Sequence, residues 1–426
     1  MTSVGYLELL RGNRGYRRIW LASIASNLGD WLNVIAIYTL IDRLTGSPLA
    51  LGLVFVTKML PFALASPVAG LLADRWNRRR LMIGSDLIRA VLVLGLVLVR
   101  DAAHLPWLYL LVALQMMVSA AFLPARNASI PNLVSDRELL TANALSSATW
   151  SAILALGAAL GGLATEALGV YPVFLLDSAS YLASAFLLAR TAVPQDTERA
   201  DGALLRTAWR EVAAGWRYMR SRPDVGRVAL AKPAWALGGG SLVYMLALVG
   251  QQLVPGAPAA GIGWLYAARG IGTGLGPIVT RRWVPRRVWL GLVGTAVLVT
   301  GIAYQGVAWL PWTLWLLVPV VLAHMASGAN WVLSTVMLQE RTEDRFRGRV
   351  FATEWLLLTL TDAVSIIVAS LLLEAGLLRL RGALALFSGV QLLTGLAWVL
   401  FVARRERIAA VAPVADPAAQ ELRRRW

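Results

Sequence analysis

Long apolar runs alternate with short polar breaks along almost the whole chain. The runs fall at 19–41, 48–73, 81–100, 105–127, 141–168, 171–190, 228–252, 259–281, 288–308, 312–337, 351–375 and 383–403. A helix crosses about 30 Å of hydrocarbon in about 20 residues, so each run predicts one transmembrane helix. The expected fold is all-α and integral to a membrane, with twelve spans. Between the sixth and seventh runs the pattern changes, because residues 193–227 bring Pro194, Asp196, Glu198 and Asp201 and no apolar run of spanning length. The chain thus divides into a six-helix bundle at 1–192, a linker at 193–227, a second six-helix bundle at 228–408 and a tail at 409–426. Within the linker Trp209, Val212, Ala213, Trp216 and Met219 recur at helical spacing, while Arg206, Arg210, Arg217 and Arg220 take another face. That predicts an amphipathic helix on the inner leaflet, acting as a tether between halves.

The two halves repeat one another. GLVFVTKMLPFALASPVAGLLADRWNRR from Gly52 and GWLYAARGIGTGLGPIVTRRWVPRR from Gly263 each carry a cation six residues after the leading Gly, then a Pro, then a basic end. The cations are Lys58 and Arg269, which the duplication puts at equivalent depths of the second and eighth runs.

Composition agrees with a membrane protein: 58% of residues are hydrophobic and 15% charged, against about 45–50% and 25% in soluble domains. The formal net charge of +16 does not point to nucleic acid, because nearly all the cations lie in short loops beside apolar runs. On one side the loops hold only Arg43, Arg100, Arg379 and Arg381, and nearly all the rest fall on the side of residues 70–80. By the positive-inside rule that side is cytoplasmic, both termini included, in a multi-pass protein of the cell membrane. Cysteine is absent and His104 and His324 are the only histidines, which removes disulfide, thiolate-metal and histidine-cluster chemistry. The first residues have no apolar core with a cleavage site, so the first run is expected to serve as insertion signal. No H-E-x-x-H, G-x-S-x-G or phosphate-loop motif occurs, so the chain is not expected to be an enzyme.

Residues 70–80, GLLADRWNRRR, set Asp74 among Arg75, Arg78, Arg79 and Arg80 in a hairpin too short for a soluble insert. This stretch resembles the loop signature of the major facilitator superfamily, G-x-L-A-D-R-x-G-R-[RK]. Asn77 replaces the usual Gly, and Asn shares glycine's left-handed backbone region best. SNLGDWLNVIAIYTLIDRLTGSPLALGLVF, PARNASIPNLVSDRELLTANALSSATWS and QERTEDRFRGRVFATEW resemble the bacterial macrolide-efflux and enterobactin-exporter-like branch. The resemblance implies two parallel six-helix repeats, with a substrate site at the midplane between them. It also implies export of drug-like or siderophore-like small molecules by proton antiport, with the proton gradient as energy source and no cofactor. A monomer with substrate, protons and lipid as its partners is expected. Two departures stand out. The fifth run reads LALGAALGG without the antiporters' Pro, and the fourth lacks a mid-helix Arg, Arg126 standing at its end instead.

An ion near the bilayer centre costs at least about 2.5–3.5 kcal/mol, so each one marks a candidate site. Asp30 lies about eleven residues into the first run, roughly 16 Å along the helix, and is the first candidate for proton coupling, followed by Asp362 and Asp177. A buried carboxyl gains a proton that an arriving cation or polar substrate can release. Lys58 and Arg269 are the matching cations, pairing with carboxylates or holding an anionic substrate group. Trp31, Trp150, Trp264, Trp331 and Trp355 stand mid-run and suggest an aromatic substrate pocket, and His324 is a lone histidine. Gly70, Asp74, Arg75, Arg78 and Arg126 form the expected cytoplasmic gate, closing on the N-terminus of the eleventh helix near Arg349, with Asp86 and Arg89 bracing it. The rival readings are an uptake carrier or uniporter and, from another class, a receptor or structural membrane protein.

Overall fold

The computed structural model describes residues 4–195 and 204–404, so the 409–426 tail and part of the linker lie outside it. Its helices are α1 (Tyr6–Gly12), α2 (Arg14–Thr45), α3 (Pro48–Arg75), α4 (Arg78–Gly95), α5 (Leu105–Ser129), α6 (Asp136–Leu168) and α7 (Val170–Ala189). Then come α8 (Leu204–Ser221), α9 (Pro223–Ala229), α10 (Ala231–Leu253), α11 (Pro258–Trp283), α12 (Trp289–Trp309), α13 (Leu317–Arg341), α14 (Arg347–Glu374) and α15 (Leu380–Ala397). Short 3-10 turns and a π-helical end to α15 complete the path, with no strand among the described residues.

Local chemistry sets the breaks between helices. Asn13, Ser47 and Asn77 each accept a backbone N–H at the start of α2, α3 and α4, and Pro48 opens α3. Asn77 is extended, at φ −61°, so its use is as a helix cap and not the left-handed turn its glycine-like position suggested. Gly46, at φ 59°, ends α2 in the left-handed conformation that favours glycine.

Among the described residues eleven helical segments are long and apolar enough to cross a membrane, which makes this a multi-pass membrane protein. The expected twelfth, α11, is as long as the others but is diluted by Arg269 and by glycines spent on packing. A Cβ on Gly263 would stand 2.8 Å from the Ala158 carbonyl of α6, and one on Gly272 would strike the Val321 carbonyl of α13. Without side chains there, α11 lies directly on α6 of the other half and on α13 of its own.

The halves meet along two seams, α11 on α6 and α14 on α3. Both are shut on the side away from the basic 70–80 loop. Ser47 Oγ and the Leu49 amide donate to Glu374 Oε2, at 2.7 and 3.1 Å, and the Tyr244 hydroxyl donates to the Pro48 carbonyl at 2.7 Å. Beneath them Tyr38 stacks on Phe55 at 4.6 Å, while Tyr244 and Tyr266 meet the pair edgewise or tilted, at 5.6 and 6.1 Å. All four rings are buried, so this is an aromatic lid drawn from both halves. Toward the basic side the helices diverge in exposure: Trp150, Trp331 and Trp355 stay 53%, 39% and 37% exposed.

The linker helix α8 is held by protein on one face: Val212 and Met219 are buried, and the helix packs on α14 and α3. Thr353 Oγ1 donates to the Val212 carbonyl at 2.9 Å, Tyr218 stacks on Phe346 at 4.3 Å, and Glu211 pairs with Arg349. Trp209, Ala213 and Trp216 remain exposed.

Candidate functional site

Beneath the lid, α2, α3, α4 and α7 bring five charged side chains together. Arg89 of α4 is buried; its guanidinium bonds Asp86 one turn before it, lies 3.7 Å from Asp30 of α2 and donates to Ser26 Oγ at 3.3 Å. Its flat face rests on the Tyr181 and Phe122 rings, 4.3 and 4.9 Å from their centres. The Tyr181 hydroxyl donates to Asp30 and accepts from Gln115 Nε2 at 3.0 Å, and Ser184 Oγ donates to Asp86 at 2.6 Å. Asp177 of α7 is fully buried, held by Asn33 Nδ2 at 2.7 Å, and reaches α2 only because position 29 is Gly, where a Cβ would overlap its carboxylate. Lys58 of α3 is in electrostatic reach of Asp30 and Asp177 but makes no ion pair within 4 Å among the described residues. Three carboxylates, Asp30, Asp86 and Asp177, therefore stand with two cations, Arg89 and Lys58.

The other half is sparser. Asp362 of α14 is buried with Oδ1 lacking a hydrogen-bond partner, pressed on Gly240 of α10, where a Cβ would come within 2.5 Å of that oxygen. Arg269 of α11 is half-buried with Nε equally unpaired, and its charge is felt by Asp362, Tyr38, Tyr266, Tyr304 and His324. His324 is satisfied: Nε2 meets the Tyr304 hydroxyl at 2.9 Å and Nδ1 the Ser327 hydroxyl at 3.4 Å. Nearer the basic side Lys232 Nζ of α10 lies 3.0 Å from Glu354 Oε1 of α14, both side chains nearly inaccessible.

No group of three or more His, Cys, Asp or Glu side chains arranged to hold a metal occurs among the described residues. The family model described as Major Facilitator Superfamily matches residues 19–353. The chain belongs to this superfamily. Among its relatives, the MFS-type transporter YfiS of Bacillus subtilis is 29% identical over 71% of this chain and 72% of its own. The multidrug efflux pump Tap of Mycobacterium bovis is 26% identical over 78% and 80%, and macrolide efflux protein A of Streptococcus pyogenes 22% over 83% and 88%. The family and these relatives are transporters and not enzymes. In fold, the POT family transporter PepTSo superposes with a TM-score of 0.71 at 11% identity, covering 93% of this chain and 99% of that one.

Against that background the loop signature of the superfamily is disengaged. Asp74 is 71% exposed and, among the described residues, pairs with Arg78 alone, at 3.9 Å, while a Cβ on Gly70 would meet none of them within 4 Å. Arg78 instead pins the hairpin, donating to the Ala73 and Ala128 carbonyls, and Arg75 closes the last turn of α3. Arg126, at the same end of α5, borders a small cavity with Ser23 and Asn27 of α2 and Ser146, Thr149 and Trp150 of α6. Arg89, paired with Asp86 on the buried face of α4, braces Asp30 and not the hairpin. Trp264 shares the exposed stripe of Ile271, Leu275 and Ile278 on α11 and so faces outward, not into a pocket. Trp31 lies 6.3 Å from Tyr266 under the lid, and Trp331 meets Trp355 edge to face at 5.9 Å. The Lys232–Glu354 pair escaped the sequence reading, although a cation inside the seventh run was its visible half.

Proposed function

We propose that the chain is a proton-coupled exporter of small amphipathic molecules that works by alternating access. In this reading the basic side faces the cytoplasm with both termini, α11 is the twelfth span, and the structure is the inward-open state. The observation that carries it is the pairing of a shut aromatic lid with unpaired charge beneath and an exposed tryptophan-lined mouth on the basic side. Export is favoured over uptake by the names of the relatives, macrolide efflux protein A and multidrug efflux pump Tap.

The coupling follows from the excess carboxylate. In the empty carrier one proton is shared in the Asp30, Asp86 and Asp177 cluster, where Tyr181 and Arg89 hold Asp30 in place. A substrate entering from the basic side meets Trp31, Trp331 and Trp355 with its apolar part, and Lys58, Arg269 or Asp30 with its polar part. A charge arriving there favours ionisation and releases the proton. Asp362 is the second site of the same kind, answering to Arg269. The test is proton release on adding a macrolide or a lipophilic dye to purified protein in detergent, for wild type and Asp30→Asn. Release by the wild type, lost in a variant that still binds, supports Asp30 as coupling site; binding without release in both points to a uniporter. In cells, collapsing the proton gradient raises retention of an exported compound and lowers that of an imported one.

A further inference from the structure

Lys58 and Lys232 are the only lysines of the chain; every other cationic side chain of the forty is arginine. Lys232 sits at the second residue of α10 with its ammonium on Glu354, 4.7 Å from the centre of the Trp331 ring and 5.9 Å from that of Phe351. Trp355 completes the wall, edge to face with Trp331. A buried carboxylate beside an aromatic face is the environment in which an organic cation binds well.

The exposed flanks of these tryptophans do not face lipid. At about 100° per residue, Trp331 lies about 180° around α13 from exposed Leu322, and Trp355 about 180° around α14 from exposed Val364. The cage therefore opens toward the interior between the halves. We propose that Lys232 is a tethered occupant of a cation site, and that a lipophilic ammonium or phosphonium substrate binds by displacing it from Glu354 and Trp331. The identity of the side chain fits that use. An arginine would hold the carboxylate through a two-pronged contact, whereas an ammonium is a compact, strongly hydrated charge on a flexible stem. Released near the basic mouth it returns to water readily, and the incoming cation, poorly hydrated, gains more from the tryptophan face.

This rests on the reading of the chain as a transporter of amphipathic molecules, but the test reads binding without transport, so either can fail alone. Tetraphenylphosphonium is titrated into the purified full-length protein in detergent. Lys232→Met is expected to bind it about tenfold more tightly than wild type, and Glu354→Gln about tenfold more weakly. In the wild type, the probe should also raise the reactivity of Lys232 toward an amine-specific reagent mapped by mass spectrometry, relative to the same protein without probe. That arm stands on its own where Lys232→Met does not fold. Unchanged or weaker binding by Lys232→Met overturns the proposal, as does protection of Lys232 by the probe or absence of binding by the wild type and both variants.

Discussion

Arg89 shows what a buried charge does for this protein. It neutralises Asp86, which has no access to solvent, and at the same time leans on Asp30. Arg89→Met strands Asp86, a loss of about 3–5 kcal/mol for a broken buried pair. The expected result is a clear fall in the thermal unfolding midpoint in detergent, with Asp86→Asn/Arg89→Met losing less than Arg89→Met alone. Equal loss in both would show that Arg89 stabilises through packing on Phe122 and Tyr181. At this scale the ions interrupting apolar runs were legible as positions: Asp30 meets Arg89 and Tyr181, and Asp362 is buried against Gly240. It was silent on partners. Arg89 and Asp86 looked like a pair near a loop because spacing reveals i, i+3 neighbours but not the helix that faces them. Glu354 went unnoticed because it lies early in its run, where a carboxylate passes for a boundary residue. Trp264 was read as pocket lining because mid-run position does not say which way a helix is turned.

At the scale of whole helices, glycine decides closeness of approach. Gly215 of α8 lies so near the Arg349 carbonyl and Thr353 hydroxyl of α14 that a methyl group has no room. Gly215→Leu should therefore undock α8. Hydrogen exchange in peptides covering 204–221 is expected to rise toward that of a solvated helix, while α14 stays protected; unchanged protection would mean that Glu211 and Tyr218 alone hold the helix. Gly162 and Gly263 play the same part between the halves, since a Cβ on Gly162 would stand 2.6 Å from the Ala259 carbonyl. The runs themselves were legible because hydrocarbon imposes one length on every span. The rank of α11 was not, since glycine lowers apolarity while improving packing. Nor could amphipathicity tell whether the apolar face of α8 meets lipid or another helix, because both accept Val212 and Met219.

For the molecule as a whole, the lid and the basic hairpin are opposing ends of one equilibrium in the proposed cycle. In this state the lid is made and the hairpin is free, with Asp74 exposed to solvent and 3.9 Å from Arg78. In the proposed cycle the lid contacts belong to the state open to the basic side, so weakening them is expected to favour the other state in proportion to the energy removed. Phe55→Ala removes a stacked pair worth about 0.5–1.5 kcal/mol beyond its buried area. The chain has no cysteine, so a thiol introduced by Leu51→Cys, buried beside the lid on α3, is a unique reporter. Its labelling by a membrane-impermeant reagent added on the lid side should be slow in the Leu51→Cys protein and faster by about tenfold when Phe55→Ala is added. Asp74→Asn acts in the opposite sense. Once the basic side closes, Asp74 is expected to meet the N-terminal turn of α14, an interaction of about 0.3–1 kcal/mol that asparagine largely forgoes. Adding Asp74→Asn to the Phe55→Ala protein should therefore pull labelling back by roughly two- to fivefold. If it leaves the rate untouched, the hairpin carboxylate is a topology anchor and not a gate, and closure of the basic side must depend on other contacts, with α8 and its hold on α14 the nearest ones at hand.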